Sequence, residues 1–179
     1  MTSPVSIPAA TTIVVMGVSG AGKTSAALEV TRQLGWDFIE GDDLHPEANV
    51  AKMAAGTPLD DDDRWPWLRR VAEVIGEHEA AGRSLVITCS ALKRSYRDLL
   101  RDGNPSVWFA HVDVPREVLV ARLAARRGHF MPPSLLDSQL ATLERLGEDE
   151  PGDVIAGDAP LEATVAQVLG DLREERTLQ

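Results

Sequence analysis

The chain has 179 residues, with 28 acidic side chains against 18 basic ones, a formal net charge of -10, and 44% hydrophobic residues. That length suits one domain with a real core, spanning 1–179, and the composition excludes a disordered chain or a fibrous repeat. The negative field disfavours nucleic acid and acidic membrane surfaces as partners, so an anionic ligand would have to be held by local positive groups.

No stretch approaches the ~20 apolar residues of a membrane span, and the leading MTSPVSIPAATT has no signal-peptide pattern, so a soluble, cytoplasmic protein is expected. The only cysteine, Cys89, lies in an apolar stretch and reads as a small buried hydrophobe.

In chain order, Thr12 to Met16 is a β-branched run that predicts a strand, running directly into a glycine loop and then into helix formers from Ser25 to Leu34. Gly35 marks the helix stop, and Asp37 to Glu40 predicts a second strand. Helices are expected around 48–55 and over 66–81, where Val71, Val74 and Ile75 recur at helical spacing. Ser84 to Thr88 reads as a central parallel strand, 95–101 as a helix and 107–112 as a strand. A helix over 117–126 is followed by GHFMPP, a break that resembles a lid, before a helix over 134–146. A last strand at 153–156 and a helix over 161–174 close the chain. The alternation predicts an α/β fold: a mostly parallel five-stranded sheet, helices on both faces, and ligands beyond the carboxyl ends of the strands.

Residues 17–24, GVSGAGKT, fit GxxxxGK[ST] in the required setting, a strand before and a helix after. Glycines let backbone N–H groups turn inward on phosphate oxygens, and the helix N-terminus adds favourable dipole charge. Gly17, Ser19, Gly20, Ala21, Gly22, Lys23, Thr24 and Ser25 are therefore the candidates for holding ATP. Lys23 would reach the β and γ phosphates and Thr24 would place its hydroxyl on Mg²⁺. The strand over 84–88 ends in Thr88, Cys89 and Ser90, with no aspartate for the metal, which leaves the rest of the metal shell open.

Three further segments point to the acceptor: GDDLHPEANVAKMAAGTPLDDDDRWPWL at 41–68, CSALKRSYRDLLR at 89–101 and RRGHFMPPSLLDSQLATLE at 126–144. In this order they closely resemble the gluconokinase family, from Ile13 to about Leu161. The resemblance implies a three-layer P-loop fold of the nucleoside-monophosphate-kinase type, with a helical lid over about 126–140. It further implies ATP-dependent phosphorylation of the 6-hydroxyl of D-gluconate, and a homodimer. The rivals are another small-molecule kinase, of the shikimate or nucleoside monophosphate type, and a nucleotide-dependent switch that binds a protein.

Asp42 matches the acidic position of the family's GDxLHP segment and is the candidate base; it could instead hold Mg²⁺ through water or be a turn aspartate. His45 either hydrogen-bonds a substrate hydroxyl or fixes the turn with Pro46. Lys52 and Arg64 are candidates for the substrate carboxylate, Arg64 because a guanidinium grips it with parallel hydrogen bonds. Asp60 to Asp63 resemble a metal cluster but read better as a helix cap before Pro66, and Trp65 and Trp67 read as core anchors. At least one of Lys93 and Arg94 is expected in the cleft, while Tyr96 and Arg97 read as plain helix residues. Around the lid, Arg126 is the first choice for stabilising the transferring phosphoryl group. By resemblance Arg122 packs on adenine, and His129 and Gln139 are candidates for substrate contact.

Overall fold

The computed structural model describes residues 10–126 and 133–178. Five strands form one sheet in the order β2-β3-β1-β4-β5. They are β1 (Thr12–Met16), β2 (Asp37–Glu40), β3 (Leu85–Thr88), β4 (Val107–Asp113) and β5 (Gly152–Ala156), and every pairing is parallel. β1 is buried along its whole length because β3 and β4 flank it and helices cover both faces, which is why its TIVVM sequence shows no polar alternation. The helices are α1 (Lys23–Leu34), α2 (Glu47–Ala54), α3 (Asp61–Ala80), α4 (Arg94–Arg101), α5 (Arg116–Ala125), α6 (Pro133–Thr142) and α7 (Leu161–Thr177). The expected mostly parallel, five-stranded α/β architecture is therefore the observed one.

α3 begins earlier than Pro66 suggests. Asp60 caps it through a reciprocal capping box with Asp63, each side chain accepting from the other's backbone N–H, and Pro66 lies inside the helix. The acidic run thus starts the helix, and Pro66 is accommodated within the turns that follow. At the other end of the chain, α6 stops at Thr142, short of the expected 146, and the residues after it run extended over α4.

Two glycines set the geometry on which the site depends. Gly17 adopts φ +145°, and a Cβ there would lie 2.7 Å from the Val112 carbonyl oxygen. Gly41 follows β2 so closely against β3 that a Cβ would come within 1.8 Å of the Thr88 carbonyl oxygen. Only glycine lets the chain leave these two strand ends without pushing the sheet apart.

The segment after β3 is fixed by an unforeseen residue. Ala91 is the only non-glycine residue at positive φ (43°) among those described, a conformation that costs an alanine about 1 kcal/mol. Its carbonyl accepts from Arg97 Nη1 at 2.9 Å. Arg97 is fully buried, pairs with both oxygens of Glu150 at 2.7 and 3.0 Å, and also donates to the carbonyls of Leu92, Glu144 and Arg145. One guanidinium therefore ties the Cys89–Lys93 turn to the segment that follows α6.

Candidate active site

At the carboxyl ends of the strands, the loop over 17–22 and the start of α1 form a cradle. Gly17, Gly20 and Gly22 all have positive φ, and Lys23 Nζ curls back over the loop to donate to the carbonyls of Gly17 and Val18, each at 3.0 Å. A positive group thus sits over inward-turned amides at a helix N-terminus, which fits a polyphosphate. Desolvation lowers the pKa of Lys23 from the ordinary lysine value, while the negative charges of Asp42 and Glu40 act in the opposite direction.

Glu40, at the end of β2, stands between Thr24 and the end of β3, where the sequence offered no aspartate. Its carboxylate accepts from Thr24 Oγ1 at 2.7 Å and from the hydroxyl of Thr88, whose oxygen in turn accepts from Gly41 N–H at 3.0 Å. Thr24 and Glu40 are hard oxygen ligands side by side. Among the described residues no group of at least 3 His, Cys, Asp or Glu side chains could hold a metal. A pair of protein oxygens suits an ion that retains most of its water shell, as Mg²⁺ does beside phosphates. The signal for Glu40 was available, because ligand-facing residues cluster at carboxyl ends of strands in such sheets.

Facing the cradle is a cleft of about 580 Å³ lined by Lys23, Asp42, His45, Arg64, Arg126 and Gln139, with Ser19 and Ser90 on the phosphate side and Met53, Leu59 and Leu92 as apolar wall. Trp67 builds much of this wall. Its indole N–H donates to the Gly41 carbonyl at 2.8 Å, and its ring stacks on His45 at 4.0 Å with 17° between planes. It is a core anchor, as expected, and also the support under the turn that carries Asp42 and His45. Burial, reinforced by the charge of Arg64, pushes the pKa of His45 down to about 4, so the imidazole is neutral at pH 7.

Arg64 is buried, and Nη1 donates to the Tyr96 hydroxyl at 3.0 Å. Tyr96 in turn donates to Asp61, and Trp65 packs edge-on to the Tyr96 ring at 5.3 Å. The hydrogen bond from Tyr96, followed by that from Lys93, holds the Asp61 carboxyl below its usual pKa. The acidic run is thus divided in its work: Asp60 and Asp63 cap α3, and Asp61 orients the tyrosine that orients Arg64.

The remaining candidates are distributed unevenly. Lys52 pairs with Asp63 at 2.7 Å and does not line the cleft. Lys93 Nζ is held by both oxygens of Asp61 at 3.1 Å, and Arg94 forms a two-pronged pair with Asp149 at 2.8 and 2.7 Å; neither lines the cleft, where Ser90 stands instead. Gln139 contacts the phosphate loop: it accepts from Ser19 N–H at 2.8 Å and donates to Ser19 Oγ at 3.1 Å. Arg122 donates to the carbonyls of Ala21 at 3.2 Å and Gly157 at 2.7 Å, beside a second hollow of about 360 Å³ that Ser25 and Arg126 also line. Arg126 borders both hollows and so stands at their junction. His129 lies outside the described residues. Cys89 is buried beneath the site, its pKa pushed up to about 12 by desolvation, which makes it an inert thiol.

A larger, open depression of about 980 Å³, where Asp98, Asp102, Glu148, Asp149, Glu150 and Glu175 outnumber the lone cation Arg101, lies by the amino ends of β4 and β5. That is the wrong end of a parallel sheet for a ligand, and its acidic rim repels phosphate. No helix is long and apolar enough to cross a membrane among the described residues.

Comparison with known proteins agrees with this geometry. The family described as AAA domain matches residues 13–146. Gluconokinase of Gluconobacter oxydans is 48% identical over 163 residues, covering 91% of this chain and 92% of the relative. A crystal structure of a sugar kinase from a Janibacter species, solved without ligand, superposes with a TM-score of 0.88 at 52% identity, covering 92% of this chain and 95% of that one. A gluconokinase from Sinorhizobium meliloti gives a TM-score of 0.83 at 45% identity over 94% of this chain and 95% of that one. With a glycine cradle at the end of β1, a polar cleft opposite it, and relatives matched over nearly their whole length, the chain belongs to the gluconokinase family of P-loop kinases.

Proposed function

We propose that this protein transfers the γ-phosphoryl group of ATP to the 6-hydroxyl of D-gluconate, giving 6-phospho-D-gluconate and ADP. The observation that carries the reading is one cleft lined by Lys23 from the phosphate loop, by the Asp42 carboxylate and by the buried Arg64 guanidinium. The substrate is a polyol with a carboxylate at the far end from the reacting hydroxyl. Arg64 binds that carboxylate with the N–H groups that Tyr96 does not engage, and His45 hydrogen-bonds a hydroxyl along the chain. Asp42 orients the 6-hydroxyl and accepts its proton as the new O–P bond forms. The bond from the γ-phosphorus to the bridging oxygen breaks and ADP takes its electron pair.

Lys23 and Arg126 stabilise the charge on the transferring group, and the loop amides of Gly20, Gly22, Lys23 and Thr24 hold the remaining phosphates. Thr24 and Glu40 would hold Mg²⁺, which would supply charge neutralisation for the transfer. The chain functions as a single phosphotransferase domain, and Arg126 and Gln139, which line the cleft, belong to a lid that closes over the reactants. The resemblance to the family extends this reading to a cytoplasmic homodimer, and sedimentation of the purified protein tests the dimer.

Purified protein with ATP and Mg²⁺ is offered gluconate, shikimate and nucleoside monophosphates in a coupled assay for ADP. Turnover that depends on gluconate is expected. Turnover independent of it, or a preference for another acceptor, refutes the substrate assignment.

A further inference from the structure

α2 is an exposed helix whose single buried residue is a polar one, Asn49, only 3% exposed. A helix that needed nothing but an anchor would bury an aliphatic side chain there. The Asn49 amide instead makes two directed contacts: Nδ2 lies 2.9 Å from the backbone carbonyl oxygen of Asp63 and 3.1 Å from Nδ1 of His45.

These contacts determine which atom is which. A backbone carbonyl oxygen only accepts, so the amide atom facing it is the nitrogen; the flipped amide would set two oxygens against each other. One amide hydrogen goes to Asp63 and the other to His45. His45 Nδ1 must therefore accept, and in the neutral ring the proton resides on Nε2. A 180° flip of the ring would keep its plane on Trp67 but set the carbon Cδ2 against the Asn49 amide nitrogen, so the contact with Asn49 also fixes which edge of the ring faces α2. Its Nε2 is directed at Asp42, with Oδ1 3.8 Å away. That separation is too long for a direct hydrogen bond.

A hydroxyl oxygen beside the pair, within hydrogen-bond reach of both, would accept from His45 Nε2–H, leaving its own proton directed at the Asp42 carboxylate. The opposite tautomer would present a bare nitrogen, and the hydroxyl would give its proton to the wrong partner. We infer that Asn49 is a positioning residue for the phosphoryl acceptor: by donating to Nδ1 it makes His45 an N–H donor opposite Asp42, so that an acceptor hydroxyl binds with its proton facing the base. This rests on the proposed function for the identity of the acceptor but not for the tautomer, which is a property of the free protein.

The test has two arms. In ligand-free protein with ¹⁵N-labelled histidine, long-range ¹H–¹⁵N correlation is expected to show His45 protonated at Nε2 and bare at Nδ1. In Asn49→Asp, whose carboxylate only accepts, the proton is expected at Nδ1. In kinetics, Asn49→Asp and the similarly sized Asn49→Leu are expected to raise KM for gluconate about tenfold and to lower kcat, with KM for ATP unchanged. An Nδ1–H tautomer in the parent protein overturns the inference, as does an unaltered gluconate KM in both variants, or an equal rise in both KM values. If Asn49→Asp does not fold, the parent spectrum and Asn49→Leu decide the matter. Should gluconate prove not to be an acceptor, the proposed function falls, while the tautomer assignment is still judged by the spectra alone.

Discussion

Residues 17–24 present main-chain N–H groups aimed by glycine geometry, whereas the wall from Gly41 to Trp67 presents side chains aimed by other side chains. The donor side needs little support beyond the sheet: β1 delivers the loop, α1 receives it, and Arg122 pins it from outside. The acceptor side is a set of relays. Asp61 holds Tyr96, which holds Arg64; Asp63 holds Asn49, which holds His45; and Trp67 supports the turn under both His45 and Asp42. A polyphosphate offers the same oxygens to every enzyme of this fold, so backbone suffices, while a sugar acid must be distinguished group by group. The difference predicts that the donor side fails at single side chains and the acceptor side fails at a distance.

The largest effect is expected at the donor side's own side chain. Lys23→Ala should lower kcat by about 10²–10³-fold or more with little change in thermal unfolding, because Lys23 acts on charge that develops during transfer. Asp42→Asn should lower kcat by about 10²-fold and move KM for gluconate less; an unchanged kcat removes its role as base. Glu40→Gln should raise the Mg²⁺ concentration for half-maximal activity by about 10-fold, read from a metal titration at saturating ATP. Tyr96→Phe should give the smallest change, a rise of a few fold in KM for gluconate with KM for ATP constant. If Tyr96→Phe disturbed both substrates alike, the two sides would not be independently built and the comparison would break.

How much of this was legible in the sequence follows the same division. The strands, most of the helices and the glycine loop were readable, because hydrophobic period and the GxxxxGK[ST] pattern depend on neighbours in the chain. The misplaced start of α3 came from reading Pro66 as a first-turn residue, when the capping box at Asp60 and Asp63 had already begun the helix. Lys52, Lys93 and Arg94 looked like free cations in sequence, and each has its charge met by a carboxylate 11, 32 and 55 residues away. Tyr96 and Arg97 looked ordinary for the same reason: their partners Asp61 and Glu150 are 35 and 53 positions off. Asn49, an amide on a polar helix, carries no signal until the carbonyl that orients it is in place.

The Arg97–Glu150 pair has a consequence for anyone recombining this enzyme with its relatives. Both side chains are fully buried, and removing one partner would strand the other charge at a cost of about 3–5 kcal/mol. A crossover placed anywhere between positions 97 and 150 takes the arginine from one parent and the glutamate from the other. The interval contains β4, α5 and α6, the stretch an engineer would most want to exchange. Swaps of that region will therefore inherit a working joint only when both parents carry the pair, or when the exchanged block runs from before position 97 to beyond position 150.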